Sequence, residues 1–109
     1  LKESEINTKT IKQAWVDLDN HIKSSKANVE VIITPPRRWF KDSKESKKEV
    51  KLYDNFLTII SSNPKVTKTC NLYYLIKDVY SEDDYVDSVH LSKAGHKKWA
   101  KKIKLCLRE

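Results

Sequence analysis

A short β-branched run, Val29-Glu30-Val31-Ile32-Ile33, stands between two helical patterns and is closed by Thr34-Pro35-Pro36. Proline has no backbone N–H to continue a ladder, so a strand here must stop at Thr34. Before it, Ile11, Ala14, Trp15, Leu18 and Ile22 recur at helical spacing between about Thr8 and Ser25, and Asn7 or Thr8 can cap the start. After it comes a basic stretch, Arg37 to Lys48, that reads as irregular. Leu52, Tyr53, Phe56, Leu57 and Ile60 then mark a second amphipathic helix, stopped by Asn63-Pro64. Asn71 to Ile76, through Leu72, Tyr73, Tyr74 and Leu75, reads as a second buried strand. Ser92 can cap a last helix whose apolar face carries Trp99, Ile103 and Cys106. Helix, strand, helix, strand, helix is an α/β order, with parallel strands joined by crossover helices. Two strands alone leave apolar faces open, so the chain is expected to need a missing half, another subunit or a rearranged packing.

A length of 109 residues suits one unit, spanning 1–109. Apolar residues make up 39% and charged residues 34%, a globular but thin ratio for a domain of this size. No secretory hydrophobic segment and no membrane-spanning run is present in the sequence. Cys70 adjoins a strand pattern and Cys106 lies on an apolar helix face, so both are expected as buried free thiols, which favours an intracellular setting. The net charge of +7 predicts attraction to polyanions, nucleic acid or acidic membrane surfaces.

The chemistry-bearing stretch is Asp87-Ser88-Val89-His90-Leu91-Ser92-Lys93-Ala94-Gly95-His96. An Asp-x-x-His pair on one turn can aim both side chains the same way. The carboxylate can then fix the imidazole tautomer and stabilise the imidazolium that a general base forms. The plainer alternative is a surface turn leading into a capped helix. In open α/β sheets ligands bind beyond the carboxyl ends of the strands, so Pro35-Pro36 and the Asp87–His90 loop should share one rim.

Asp-x-x-His-Leu-Ser-x-x-Gly-His followed by an amphipathic last helix resembles the C-terminal block of the SGNH (GDSL-type) hydrolases. The Val29–Pro36 strand and its Pro-Pro end are similar to that family's late strand and active-site loop. The resemblance implies the C-terminal part of a flavodoxin-like α/β/α three-layer fold. It also implies a serine esterase in which His90 is the base and Asp87 its orienting acid in a Ser-His-Asp triad. Pro35, Pro36, Arg37, Arg38, Trp39 and Phe40 would shape the substrate rim. Such an enzyme hydrolyses a small ester and needs neither metal nor organic cofactor.

The departures are as specific as the match. The family's Gly-Asp-Ser and Gly-x-Asn-Asp blocks are absent, and the one glycine, Gly95, lies in the last block. One glycine is far below the usual ~7%, as expected if a loop-rich half is missing. Leu1-Lys2-Glu3-Ser4 resembles the stretch that comes after the family's third block. The expectation is therefore a C-terminal half whose nucleophile sits on an upstream segment or a partner chain, and which alone is inactive. Ser88 is too close in sequence to His90 to act as that nucleophile, and Ser92 is better placed as a cap.

The alternative of another class is a catalytically inactive nucleic-acid-binding or interaction module. Arg37 and Arg38 beside Trp39 and Phe40 combine phosphate-pairing cations with stacking rings, and Lys97 and Lys101 extend the charge along the last helix. Those lysines equally suit a solvated helix face. Asp83, Asp84, Asp87 and His90 could be gathered as metal ligands, but they lack a second histidine at ligand spacing and read as an acidic loop. His96 is expected as a structural hydrogen-bond partner and His21 as partly exposed.

Overall fold

Two strands, β1 (Val29–Ile33) and β2 (Val66–Asn71), pair in parallel, with Val31 opposite Thr69 and Ile32 opposite Cys70. The computed structural model describes residues 3–108, with side chains from residue 9; Leu1, Lys2 and Glu109 lie outside the described residues. Helix α1 (Glu3–Lys23) precedes β1, and α2 (Lys44–Ile60) forms the crossover between the strands. Beyond β2 come the short helix α3 (Leu72–Ile76), a 3₁₀ turn at Glu82–Asp84 and the last helix, α4 (Lys93–Arg108). The α/β character and parallel pairing expected from the sequence are therefore present.

Strand alternation sorts the core into two clusters, because successive side chains leave a strand on opposite faces. Val29, Val31 and Ile33 pack with Trp15 and Ile22 of α1 and with Val50, Phe56, Leu57 and Ile60 of α2. Ile32 faces the other way, into Leu72, Ile76, Tyr85, Trp99 and Ile103. Ile60, Leu72 and Ile76 are fully enclosed, and each such burial contributes roughly 1.5–3 kcal/mol relative to exposure. Asn63 pins the first layer: its side-chain amide donates to the Asp19 carboxylate at 2.8 Å, joining α1 to the turn before β2.

Local chemistry moves four of the sequence-based boundaries. Asn7 and Thr8 lie inside α1, whose helical backbone already runs from Glu3. Arg37–Lys48 is not irregular. Arg37–Phe40 forms a single 3₁₀ turn, and α2 starts at Lys44, where the Ser43 hydroxyl accepts the Ser46 N–H. Ser46 in turn donates to the Arg38 carbonyl at 2.6 Å, locking turn to helix. The strand expected over Asn71–Ile76 lies earlier, at Val66–Asn71. The Asn71 side chain accepts the Tyr73 N–H and turns the backbone into α3, where Leu72 and Ile76 bury one helical face four residues apart.

The cysteines also depart from expectation. Cys70 and Cys106 form a disulfide, with Cα atoms 6.4 Å apart, rather than remaining free thiols. Moving the strand back by five residues places Cys70 within β2, on the same face as Ile32, where the apolar stripe of α4 brings Cys106 against it. A disulfide is what oxidising compartments form and keep, so the thiol argument for an intracellular setting lapses. No helix among the described residues is long and apolar enough to cross a membrane.

Candidate active site

The Asp87–His90 segment is the tip of a tight loop whose ends are tied together. Tyr85 and Leu91 form an antiparallel bridge, and the Val86 N–H donates to the His90 carbonyl at 2.9 Å. Inside the tip, Asp87 Oδ1 accepts the backbone N–H groups of Val89 (2.8 Å) and His90 (2.7 Å). Aspartate is suited to this because its short side chain reaches the backbone two and three residues on. The same carboxylate meets His90 Nδ1, with Oδ2 at 2.8 Å. The backbone bonds from Val89 and His90, followed by the imidazole, hold the Asp87 carboxyl down to about 2.

An ionised carboxylate can only accept, so His90 Nδ1 must carry the proton that lies between them. In the neutral ring that leaves the Nε2 lone pair free. Fully 73% of the His90 side chain and 52% of that of Asp87 are exposed, so water screens the pair and its contribution to stability is small. What the pair provides is orientation of the imidazole. Among the described residues no hydroxyl hydrogen-bonds to that ring.

Three supports hold the loop against the rest of the fold. Arg37 donates through Nη1 to the Asp87 carbonyl at 3.1 Å, pairs through Nη2 with Glu82, and lies over the Tyr85 ring. Ser92 caps α4 by accepting the Gly95 N–H, while its own hydroxyl donates to the Asp83 carbonyl and its N–H to that of Asp84. Buried Asp84 is paired by Lys98 Nζ at 2.9 Å and closes a capping box with Ser81. Gly95 packs directly on the Asp84 peptide, with no space for a Cβ; that carbonyl oxygen would collide with one. The sole glycine thus serves a close approach of helix to loop, and its φ is not positive.

His90 looks into an open cleft of about 620 Å³. Pro35 and Pro36 from the end of β1 form one wall, Val89 and Leu91 the loop side, and His96, Trp99, Ala100 and Ile103 of α4 the other wall. The shared rim expected for Pro35-Pro36 and the Asp87–His90 loop is therefore formed. Tyr85 also lines it, donating its hydroxyl to the Pro35 carbonyl; burial pushes that phenol up to about 12, so it stays protonated near neutrality and is no base there.

Other residues expected at the rim are placed elsewhere. Arg38 pairs with Glu49, and Trp39 is buried in the first cluster with its indole N–H on the same carboxylate. Burial pushes the Glu49 carboxyl up, but the Arg38 and Trp39 hydrogen bonds outweigh it and hold the group low. Phe40 stacks on Tyr73 and Tyr80. None of these three residues lines the cleft, and Trp39 is not available for stacking on a ligand. His96 makes no side-chain hydrogen bond among the described residues; it stands exposed at the cleft instead of bracing the fold. Lys97 and Lys101 are exposed on α4, and His21 is exposed on α1.

Asp83, Asp84, Asp87 and His90 do not converge as a ligand set; no group of three or more metal-binding side chains occurs among the described residues. Tyr85 and Trp99 as cleft walls, and Arg37 as the brace of the loop, were not legible as such. An aromatic two residues before Asp87 was the available signal for Tyr85. No protein-family model, curated protein or solved structure matches the chain.

Proposed function

We propose that this chain contributes the base and its orienting carboxylate to an SGNH-type serine esterase of flavodoxin-like α/β/α architecture. The reading is carried by one observation: His90 is held through Nδ1 by Asp87 at a cleft beyond the end of a parallel strand, with no hydrogen bond to Nε2 among the described residues. Helices on both faces of the β1–β2 pair support the architecture. In the reaction, His90 Nε2 takes the proton of a serine hydroxyl as its oxygen attacks the ester carbonyl. The imidazolium then returns that proton to the departing alcohol, leaving an acyl-serine. Water attacks the acyl group, again losing its proton to Nε2, and the acid leaves as serine is restored. Asp87 stays ionised throughout and stabilises the imidazolium.

The serine and the oxyanion donors are to come from polypeptide outside these 109 residues, upstream or on a partner chain. Without them the 109 residues should turn over an ester negligibly, because losing even one oxyanion donor costs roughly a hundredfold or more. Fluorophosphonate labelling read by intact mass tests this. The isolated 109 residues should carry no adduct. A serine-bearing polypeptide assembled with them should be labelled, and His90→Ala should abolish that labelling. An adduct on a serine within the 109 residues, or labelling indifferent to His90→Ala, would overturn the reading.

A further inference from the structure

Two features at the mouth of the cleft carry no step of ester hydrolysis. Val86 and Val89 project from the loop tip at 69% and 66% exposure, although the loop is held by Asp87, Arg37 and the Tyr85–Leu91 bridge. Neither side chain belongs to either core cluster, although Val89 also borders the cleft. The second feature is a row of lysines on α4. With about 100° of rotation per residue, Lys93, Lys97, Lys101 and Lys104 form the stripe next to His96, Ala100 and Ile103, which line the cleft. All four lysines are exposed, and none makes an ion pair or side-chain hydrogen bond among the described residues. Of the nearby carboxylates, Glu82 is paired by Arg37, Asp84 by Lys98 and Asp87 by His90; Asp83 is the exception.

We infer that this face docks on an anionic lipid bilayer, with Val86 and Val89 entering the headgroup–acyl boundary and the α4 lysines meeting lipid phosphates. The net charge of +7 supplies the long-range attraction. Apolar tips flanked by lysines are the combination that a bilayer surface rewards, because basic side chains gain from the negative surface potential and buried alkyl groups from the acyl region. A nucleic acid fits the same charge but not the valines, which neither stack on bases nor hydrogen-bond. The aromatic residues of the basic stretch, Trp39 and Phe40, are engaged in packing. The docking is independent of the hydrolase reading, since it requires no nucleophile.

Co-sedimentation with phosphatidylcholine vesicles, with and without phosphatidylserine at near-physiological salt, tests the inference on the chain as it stands. Binding should require phosphatidylserine and fall roughly tenfold or more in Lys97→Glu with Lys101→Glu. It should fall comparably in Val86→Asp with Val89→Asp, and measurably in the milder Val86→Ser with Val89→Ser, whose folding is checked by circular dichroism. Lys9→Glu with Lys12→Glu on α1 changes the net charge equally and should have the smaller effect. No binding to phosphatidylserine vesicles would overturn the inference. So would binding unaffected by either pair of valine substitutions, or single-stranded RNA bound more tightly than the vesicles.

Discussion

Gly95→Ala should destabilise the fold, although alanine is the better helix former by about 1 kcal/mol. The added methyl meets the Asp84 peptide, whose carbonyl carbon lies 2.9 Å and Cα 3.1 Å from the Cβ position, with its oxygen closer still. A backbone group cannot swing aside as a flexible side chain can. This one is also fastened, because its oxygen accepts the Ser92 N–H at 2.7 Å and the Asp84 side chain is buried on Lys98. Forcing α4 off the loop costs about 1–3 kcal/mol or more, which outweighs the propensity gain. Urea titration followed by circular dichroism should show a lower midpoint for Gly95→Ala. A midpoint equal to or above that of the parent would mean that helix and loop do not approach so closely. Because Ser92 and Asp84 also support the His90 loop, the substitution should disturb the cleft along with the fold.

Removal of the Cys70–Cys106 disulfide is the other large effect. It joins β2 to α4 across a sequence separation of 36, and closing a loop of that length removes enough freedom from the unfolded chain to be worth about 3–4 kcal/mol. For a domain of this size that is a large share of the total, which is commonly about 5–15 kcal/mol. Thermal melts with and without a dithiol reductant should differ by many degrees, and Cys70→Ala with Cys106→Ala should melt like the reduced protein and be indifferent to reductant. Identical melts under both conditions would show the two sulfurs to be unlinked. The same bond anchors α4, which carries the His96, Trp99, Ala100 and Ile103 wall of the cleft.

These two contacts mark where sequence reasoning stops. Periodicity found α1, α2 and α4, because their apolar faces repeat over several turns. The Pro-Pro stop found the end of β1, because proline acts locally on the backbone. Asp87 and His90 were legible because both partners lie within one turn of chain. Leu72–Ile76 was not legible as a helix: five apolar residues suit a buried strand or a single buried turn equally, and the Asn71 side chain decides between them. Trp39 stands among basic residues and looked like a surface ring. It is buried because the turn that carries it is bonded to α2 through Ser46 and Glu49, eight and eleven residues on from Arg38. The disulfide and the Gly95–Asp84 approach join distant segments, and spacing along the chain carries no record of them.

The most direct test of the site is the tautomer of His90, read from long-range proton–nitrogen correlations at a pH where the imidazole is neutral. The Asp87 carboxylate against Nδ1 requires the Nδ1–H form, with Nε2 bare, and Asp87→Ala should remove that preference. An Nε2–H ring in the parent protein, or a tautomer indifferent to Asp87→Ala, would mean that the pair does not present a base to the cleft.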